Sequence, residues 1–502
     1  MELFDGLAGG FQIALTPQNL LFVFLGCLLG TLVGVLPGLG PIGAIALLLP
    51  ATVHLPPVTA IIMLAGIYYG VMYGGSITSI LMNIPGEAAS VVTCIDGHQM
   101  AKQGRAGSAL GISAIGSFVA GTAGLIALTV LAPPLSKLAL IFGPAEYFAM
   151  LLCALSIVSF LASGPLWKAW LMATFGLVLG SVGIDEITGS ARFTFGVPVL
   201  LDGINMVPVV MGFFGIGEIL ANLERREKNT VISTKIESLY PTKKEWADSA
   251  APIGRGTVLG FVLGILPGGG AVLSSFLSYA AEKKISKTPE RFGHGAIEGV
   301  AGPEAANNAS TAGAFVPLLT LGIPTHALMA LLMGALIVHG VQPGPLLMRD
   351  HPEVFWGTIS SMYIGNVMLL ILNLPLIPLW VRVLSIPYRY MFPTILVIVL
   401  VGAYSLNNSL SDVYITIVFA VIGYFARKLE FDAVPLLLAL VLGPMLESSL
   451  RQALIVSGGS SSILLGNPIA LSFLVLAILI PFVAYLPGIA KRAAKLRGMD
   501  GA

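Results

Sequence analysis

Charge is what this chain has least of. Asp, Glu, Lys and Arg make up 10% of its 502 residues, hydrophobic residues make up 56%, and the mean hydropathy is +0.92. A water-soluble globule of this length carries far more polar surface, so the composition puts the chain in a bilayer. The net charge of +1 excludes nucleic acid as an electrostatic partner. Three cysteines, Cys27, Cys94 and Cys153, lie far apart without metal-like spacing and read as reduced bystanders. The six histidines form no HExxH, no GxxxxGK phosphate loop occurs, and no GxSxG elbow surrounds Ser76, so zinc proteases, P-loop ATPases and nucleophile-elbow hydrolases all lack their signatures. The chain is expected not to be an enzyme and to carry no cofactor. Its acidic start, with Glu2 and Asp5, lacks the basic region of a cleavable signal, and the first hydrophobic segment is expected to be retained.

What is present are long apolar runs such as "LGISAIGSFVAGTAGLIALTVL", near the roughly 20 residues that one membrane crossing needs. Short alternating strands of a barrel would not produce them. The fold class expected is an all-α polytopic membrane protein. Basic residues cluster in a central polar stretch from Asn222 to Arg255, in "AEKKISKTPERFGHG" and at the C-terminus, all of which should face the cytoplasm. The segment from Gly256 to Ala281 then begins and ends inside. It is too short for two crossings at roughly 20 residues each, and predicts a re-entrant hairpin with Pro267 at the tip. Counting spans places the N-terminus outside and the C-terminus inside. The organisation expected is an N-terminal membrane repeat over residues 1–221, a cytoplasmic linker over 222–255 and a C-terminal repeat with extra spans over 256–502.

The repeat is written in the motifs. "GTLVGVLPGLG", ending at Gly40, returns as "GFVLGILPGGG", ending at Gly270, an offset of 230. A second pair, Tyr68–Ala88 and Asn307–Ala327, matches at an offset of 239, sharing a Gly and an Ile-Pro. The halves start from opposite faces, which predicts an inverted-topology repeat of the kind secondary transporters use. Each half carries two proline interruptions, at Pro37 and Pro85 and again at Pro267 and Pro324, and irregular backbone at membrane depth is tolerated where it is buried in protein or lines a polar cavity. The backbone candidates for contact with substrate or ion are therefore Pro37, Gly38, Gly40, Pro85, Gly86, Pro267, Gly268, Gly269 and Pro324.

Polar side chains cluster around these breaks: Ser76, Thr78, Ser79, Asn83 and Glu87 in the first copy, and Glu304, Asn307, Asn308, Ser310, Thr311, Thr320, Thr325 and His326 in the second. Hydroxyls, amides and freed carbonyls suit Na⁺ or a carboxylate. The side-chain candidates are Ser76, Thr78, Asn83, Asn307, Asn308, Ser310, Thr311, Thr325 and His326. A membrane hydroxyl also commonly bonds its own helix or a neighbour, so each is weighed against that role. Asp96 and His98 read as solvated or capping residues of an inner loop, and Glu146, Asp185 and Glu186 as span-end residues.

"GVLPGLGPIGAIALLLP", "YGGSITSILMNIPGEAASVVTCIDGHQMAKQGRAGSALG", "GILPGGGA", "GPEAANNASTAGAFVPLLTLGIP" and "GALIVHGVQPGP" together resemble TctA, the large membrane subunit of tripartite tricarboxylate transporters. The resemblance covers nearly the whole chain. It implies residence in the bacterial cytoplasmic membrane with two partners, a small TctB-like membrane subunit and a periplasmic TctC-like solute-binding protein. It further implies uptake of citrate or another carboxylate, driven by a Na⁺ or H⁺ gradient through alternating access, by analogy of the elevator type. At Thr325 and His326 the chain departs from the family's usual glycine and small polar residue. A channel or facilitator for organic anions is the alternative function; an intramembrane enzyme is the remoter one.

Overall fold

In a computed structural model, described for residues 2–36, 40–162, 164–185, 187–224, 239–384 and 388–483, helices dominate and the described strands form a single short hairpin. The first half runs α1 (Glu2–Ala14), α2 (Pro17–Val35), α3 (Gly40–Thr52), α4 (Pro57–Met82), α5 (Val91–Lys102), α6 (Ala106–Ala139), α7 (Pro144–Leu161) and α8 (Leu166–Gly180). Strands β1 (Gly183–Ile184) and β2 (Ala191–Arg192) follow, then α9 (Met206–Val210) and α10 (Gly217–Glu224), joined by a π-helical turn over Met211–Ile216. The second half contains α11 (Lys243–Ile265), α12 (Gly270–Ile285), α13 (Glu298–Leu321), α14 (Ala327–Val338), α15 (Leu347–Asp350), α16 (Pro352–Asn373), α17 (Ile377–Leu384), α18 (Tyr388–Asn407), α19 (Leu410–Lys428), α20 (Val434–Val456), α21 (Ser462–Gly466) and α22 (Pro468–Val483). Among the described residues, seven helices are long and apolar enough to cross a membrane: α2, α4, α6, α7, α16, α19 and α20. The chain is thus an all-α polytopic membrane protein.

Local chemistry sets the helix ends. Pro17 and Pro57 occupy first-turn positions where a missing N–H costs nothing, and Thr16 accepts from the Asn19 amide. At the far ends, α4 stops on Asn83 and α13 on Gly322, both left-handed with φ of 58° and 68°. These two stops differ in number by the same 239 that relates the second pair of motifs. α11 opens on a reciprocal Thr242–Glu245 cap, so it begins at Lys243, inside the stretch expected as linker. The helix hidden there is polar in its first half, which is why its residues read as a loop.

Two helix crossings sit at the heart of the molecule, α2 on α4 and α11 on α13, and both rest on glycines. A Cβ on Gly26, Gly30 or Gly34 would overlap the carbonyl oxygens of Met63, Ile67 or Val71; one on Gly256, Gly260 or Gly264 would overlap those of Gly302, Ala306 or Ser310. The first set of glycines recurs at the offset of 230, and the first set of partners at the offset of 239. Without a hydrophobic drive between helices in lipid, such small-residue faces let backbones close to contact distance.

The basic turns meet at one end. Arg105 holds Glu245 through Nη2 at 2.7 Å and the Gly295 carbonyl through Nη1 at 3.1 Å, while Gln103 donates to the His294 carbonyl at 2.8 Å. Arg255 grips Glu282 with both forks of its guanidinium, at 2.8 and 2.5 Å. Elsewhere, the β-hairpin is tied to α20 by Arg451, which contacts Asp185 at 2.9 Å. The backbone amides of Thr188 and Ile187, with Arg451, hold the Asp185 carboxyl down to about 2. Glu146 lies in the first turn of α7, where it accepts from the Gly143 amide and from Asn467. Glu186 lies outside the described residues.

Asp96 and His98 are not in a loop. Both lie on α5 and are buried. Asp96 Oδ1 accepts the backbone amides of Gly293, Gly295 and Ala296 at 2.9, 2.8 and 2.9 Å, and Oδ2 accepts the Tyr279 hydroxyl at 2.9 Å. One carboxylate thus pins the turn that launches α13. His98 Nδ1 lies 3.1 Å from the Ile80 carbonyl. Asp96→Ala strands four donors, three of them on backbone, and is expected to cost about 3 kcal/mol or more of stability. Thermal unfolding of the purified protein in detergent measures it.

Candidate functional site

The polar interior is built on α13, whose residues Glu304, Asn307, Asn308 and Thr311 recur at helical spacing along one side. Glu304 is 1% exposed. Its Oε2 accepts from Ser76 Oγ of α4 at 2.7 Å, and its Oε1 takes a short bond from Thr93 of α5. Asn307 Nδ2 donates to Glu87 Oε1 at 3.2 Å, and Asn308 Nδ2 to Ser117 Oγ of α6 at 2.7 Å. Every one of these bonds joins the first half of the chain to the second.

Glu87 stands at the break after α4. Its Oε2 accepts the Ala89 amide at 2.5 Å, capping the short helical turn that leads into α5. His326 stands at the break after α13, related to Glu87 by the offset of 239, and its Nε2 lies 3.1 Å from the Tyr68 hydroxyl. The same offset relates Tyr68 to Asn307. The contacts Glu87–Asn307 and His326–Tyr68 therefore occupy the same pair of positions with the halves exchanged. The breaks touch through backbone as well: Gly268 N donates to the Thr325 carbonyl at 2.7 Å, joining the tip between α11 and α12 to the tip between α13 and α14. In the first half, Gly86 packs on Gly34 and Gly75, and Thr78 Oγ1 bonds the Val35 carbonyl at 2.9 Å.

Several candidates have their polar atoms accounted for. Thr78 is used as described, Ser79 bonds the Gly75 carbonyl at 2.9 Å, Thr311 the Asn307 carbonyl at 3.0 Å and Thr320 the Val316 carbonyl at 2.7 Å. Asn83 and Pro85 are exposed, at the mouth of the first break. Pro324 is buried, Pro267 and Gly268 are half-buried, and Gly269 is buried at the start of α12. Pro37 and Gly38 lie outside the described residues; Gly40 opens α3 beside the Glu218 carboxylate, whose Oε1 is 3.4 Å from where a Cβ on Gly40 would stand.

A different set is buried and unpaired. Fifteen buried side-chain atoms of the described residues have no hydrogen-bond partner; they include Asn307 Oδ1, Asn308 Oδ1, Ser310 Oγ and Thr325 Oγ1, and Thr31 Oγ1 of α2. Native interiors leave few such atoms, because each costs about 1–3 kcal/mol. Four of the fifteen belong to side chains singled out by their sequence context. The contributions of Tyr68, Thr93, Ser117 and Glu218 escape sequence reasoning, since each acts across a tertiary contact. Among the described residues no three His, Cys, Asp or Glu side chains come together to hold a metal ion.

The tripartite tricarboxylate transporter TctA family model matches residues 20–438. An uncharacterized 52.8 kDa protein in the TAR-I ttuC' 3'region of Agrobacterium vitis is 51% identical over 496 residues, covering 99% of each chain. An uncharacterized protein in the TAR-II ttuC' 3'region of the same organism is 54% identical over 230 residues, covering 46% of this chain and 95% of that one. No solved structure matches.

Proposed function

Since the chain belongs to the tripartite tricarboxylate transporter TctA family, we propose that it is the large permease subunit of a system that imports citrate or a related carboxylate. Its partners are a small TctB-like membrane subunit and a periplasmic TctC-like binding protein that delivers the substrate. Uptake is coupled to a Na⁺ or H⁺ gradient in the bacterial cytoplasmic membrane. The N-terminus faces the periplasm and the C-terminus the cytoplasm, with the turns around Arg105, Glu245 and Arg291 inside.

Alternating access needs two related halves around one site. The recurrence of glycines at offset 230 and of their partners at offset 239 supports an inverted repeat, with α2–α3 and α11–α12 as re-entrant hairpins. Hydrogen bonds that join the halves, at Glu304–Ser76, Glu87–Asn307 and His326–Tyr68, are the contacts a relative movement would exchange.

The observation that carries this reading is the set of orphaned oxygens at Asn307, Asn308, Ser310 and Thr325. Four unpaired acceptors or hydroxyls, three along the middle of α13 and one at the break that follows it, are costly in a dry interior, and a ligand that binds them offsets that cost. The test is uptake of radiolabelled citrate into vesicles holding all three components, with an imposed Na⁺ gradient, a proton gradient or neither. Uptake that needs the binding protein and rises above equilibrium with one gradient is expected. Binding-protein-independent uptake that runs only to equilibrium would replace this reading with a facilitator.

A further inference from the structure

The two halves differ in how their helix N-termini are neutralised, and this asymmetry assigns them different ligands. An exposed row of N–H groups at the start of a helix carries a partial positive charge and demands an acceptor. In the first half the protein supplies its own. Glu87 Oε2 receives the Ala89 amide at 2.5 Å at the start of the turn into α5. Glu218, held by Arg427 at 3.0 Å, lies against Gly40 and Gly43 in the first turn of α3.

Among the described residues, the second half places no such carboxylate at the matching helix starts. The position of Glu87 is taken by His326, which caps α14 without any side-chain hydrogen bond to its first turn. The first three residues of that turn, Ala327, Leu328 and Met329, are 3%, 6% and 0% exposed, so bulk water does not satisfy their amides. α12 begins at Gly270 on an N-cap, Gly269, that has no side chain to offer. The two starts converge: a Cβ on Gly270 would lie 3.6 Å from the His326 ring, and Gly268 N bonds the Thr325 carbonyl. Beside the uncapped turn stands Thr325, fully buried, its Oγ1 without a partner.

We infer that the converging N-termini of α12 and α14, with the Thr325 hydroxyl and His326, form the pocket for a carboxylate of the substrate. Glu87 shows the geometry in its own half: a carboxylate bound at the helix start by backbone amide on one oxygen and by a side chain of the opposite half on the other. In the second half the substrate provides that carboxylate. A neutral ligand would leave the buried start of α14 uncompensated, so the pocket selects an anion. The inference rests on the transporter reading above and deepens it by placing the anion where two of the four breaks meet.

The experiment uses the full complex in vesicles, with Cys27, Cys94 and Cys153 replaced by Ala and Thr325→Cys introduced. Thiol-reactive methanethiosulfonates of opposite charge are the probes. The anionic reagent is expected to react at least tenfold faster than the cationic one, and citrate to slow it. Preference for the cationic reagent, or reaction with neither, overturns the inference. Thr325→Val supplies the second measurement: it removes a hydroxyl that bonds nothing, so thermal stability should not fall, while the KM for citrate uptake rises at least tenfold. An unchanged KM overturns the inference too. Charge preference at Thr325→Cys is read without transport, so a failure of the coupled-uptake reading and a failure of the anion pocket give different results.

Discussion

Gly260→Ala is expected to abolish recovery of a folded, monodisperse protein, and Gly30→Ala to do the same. In each case the new methyl group meets a backbone carbonyl, of Ala306 or of Ile67, at a distance no atom pair tolerates. Backbone cannot rotate aside as a side chain does, so α11 must part from α13, or α2 from α4, along the whole crossing. Overpacking ordinarily costs about 1–3 kcal/mol; because the neighbouring glycines are pushed off their partners at the same time, the expected cost here exceeds about 3 kcal/mol. Size-exclusion profiles and thermal unfolding in detergent measure it. Gly254 is the control, since it lies on the same helix α11 with nothing within 4 Å of its missing Cβ. Gly254→Ala should raise stability by up to about 1 kcal/mol through helix propensity alone. Equal loss in both variants would mean that α11 does not pack as described.

Much of this arrangement is legible in the sequence, and the rest is hidden for definite reasons. The interruptions at Gly268–Gly269 and Pro324 declare themselves because Pro and Gly weaken a helix, and an apolar run that keeps them must have a use for the break. The orphaned oxygens of Asn307, Asn308, Ser310 and Thr325 follow the same logic, since polar residues at depth are rare. What pairs with their neighbours is not legible. Tyr68 reads as a core aromatic until the fold brings His326 to its hydroxyl, 258 positions away in the chain. Thr93 and Ser117 look like ordinary membrane hydroxyls until Glu304 and Asn308 approach them. α5 escapes because "CIDGHQMAKQGRAG" is rich in charge and glycine, the composition of a loop, and only the turn at Gly293–Ala296 makes a buried, helix-borne Asp96 tolerable. For α11 the signal is present: Thr242 followed by Glu245 is a capping box, and it outweighs the polarity of the residues that follow.

Glu304 carries the other large effect, and two substitutions separate its roles. Glu304→Ala deprives the Ser76 and Thr93 hydroxyls of their shared acceptor and opens a cavity between α4, α5 and α13. Losing both hydrogen bonds and the packing around the side chain is expected to cost about 4 kcal/mol, enough to remove the protein from the membrane fraction. Glu304→Gln keeps one carbonyl oxygen for one hydroxyl and lets the other hydroxyl turn to accept from the amide. The fold is expected to survive it within about 1 kcal/mol. Uptake is not: the proposed coupling cation needs compensating negative charge in a dry interior, and Glu304 and Glu87 are carboxylates that contact this polar cluster. Removing one of them should lower gradient-driven citrate accumulation and raise the half-saturating cation concentration at least tenfold, the latter corresponding to about 1.4 kcal/mol of cation binding. The check is the ion-concentration dependence. If Glu304→Gln shifts the half-saturating Na⁺ or H⁺ concentration and leaves the citrate KM unchanged, the charge serves the ion. If stability and uptake both stay at the wild-type level, Glu304 is a strut that any hydrogen-bond acceptor can replace, and its charge serves no cation.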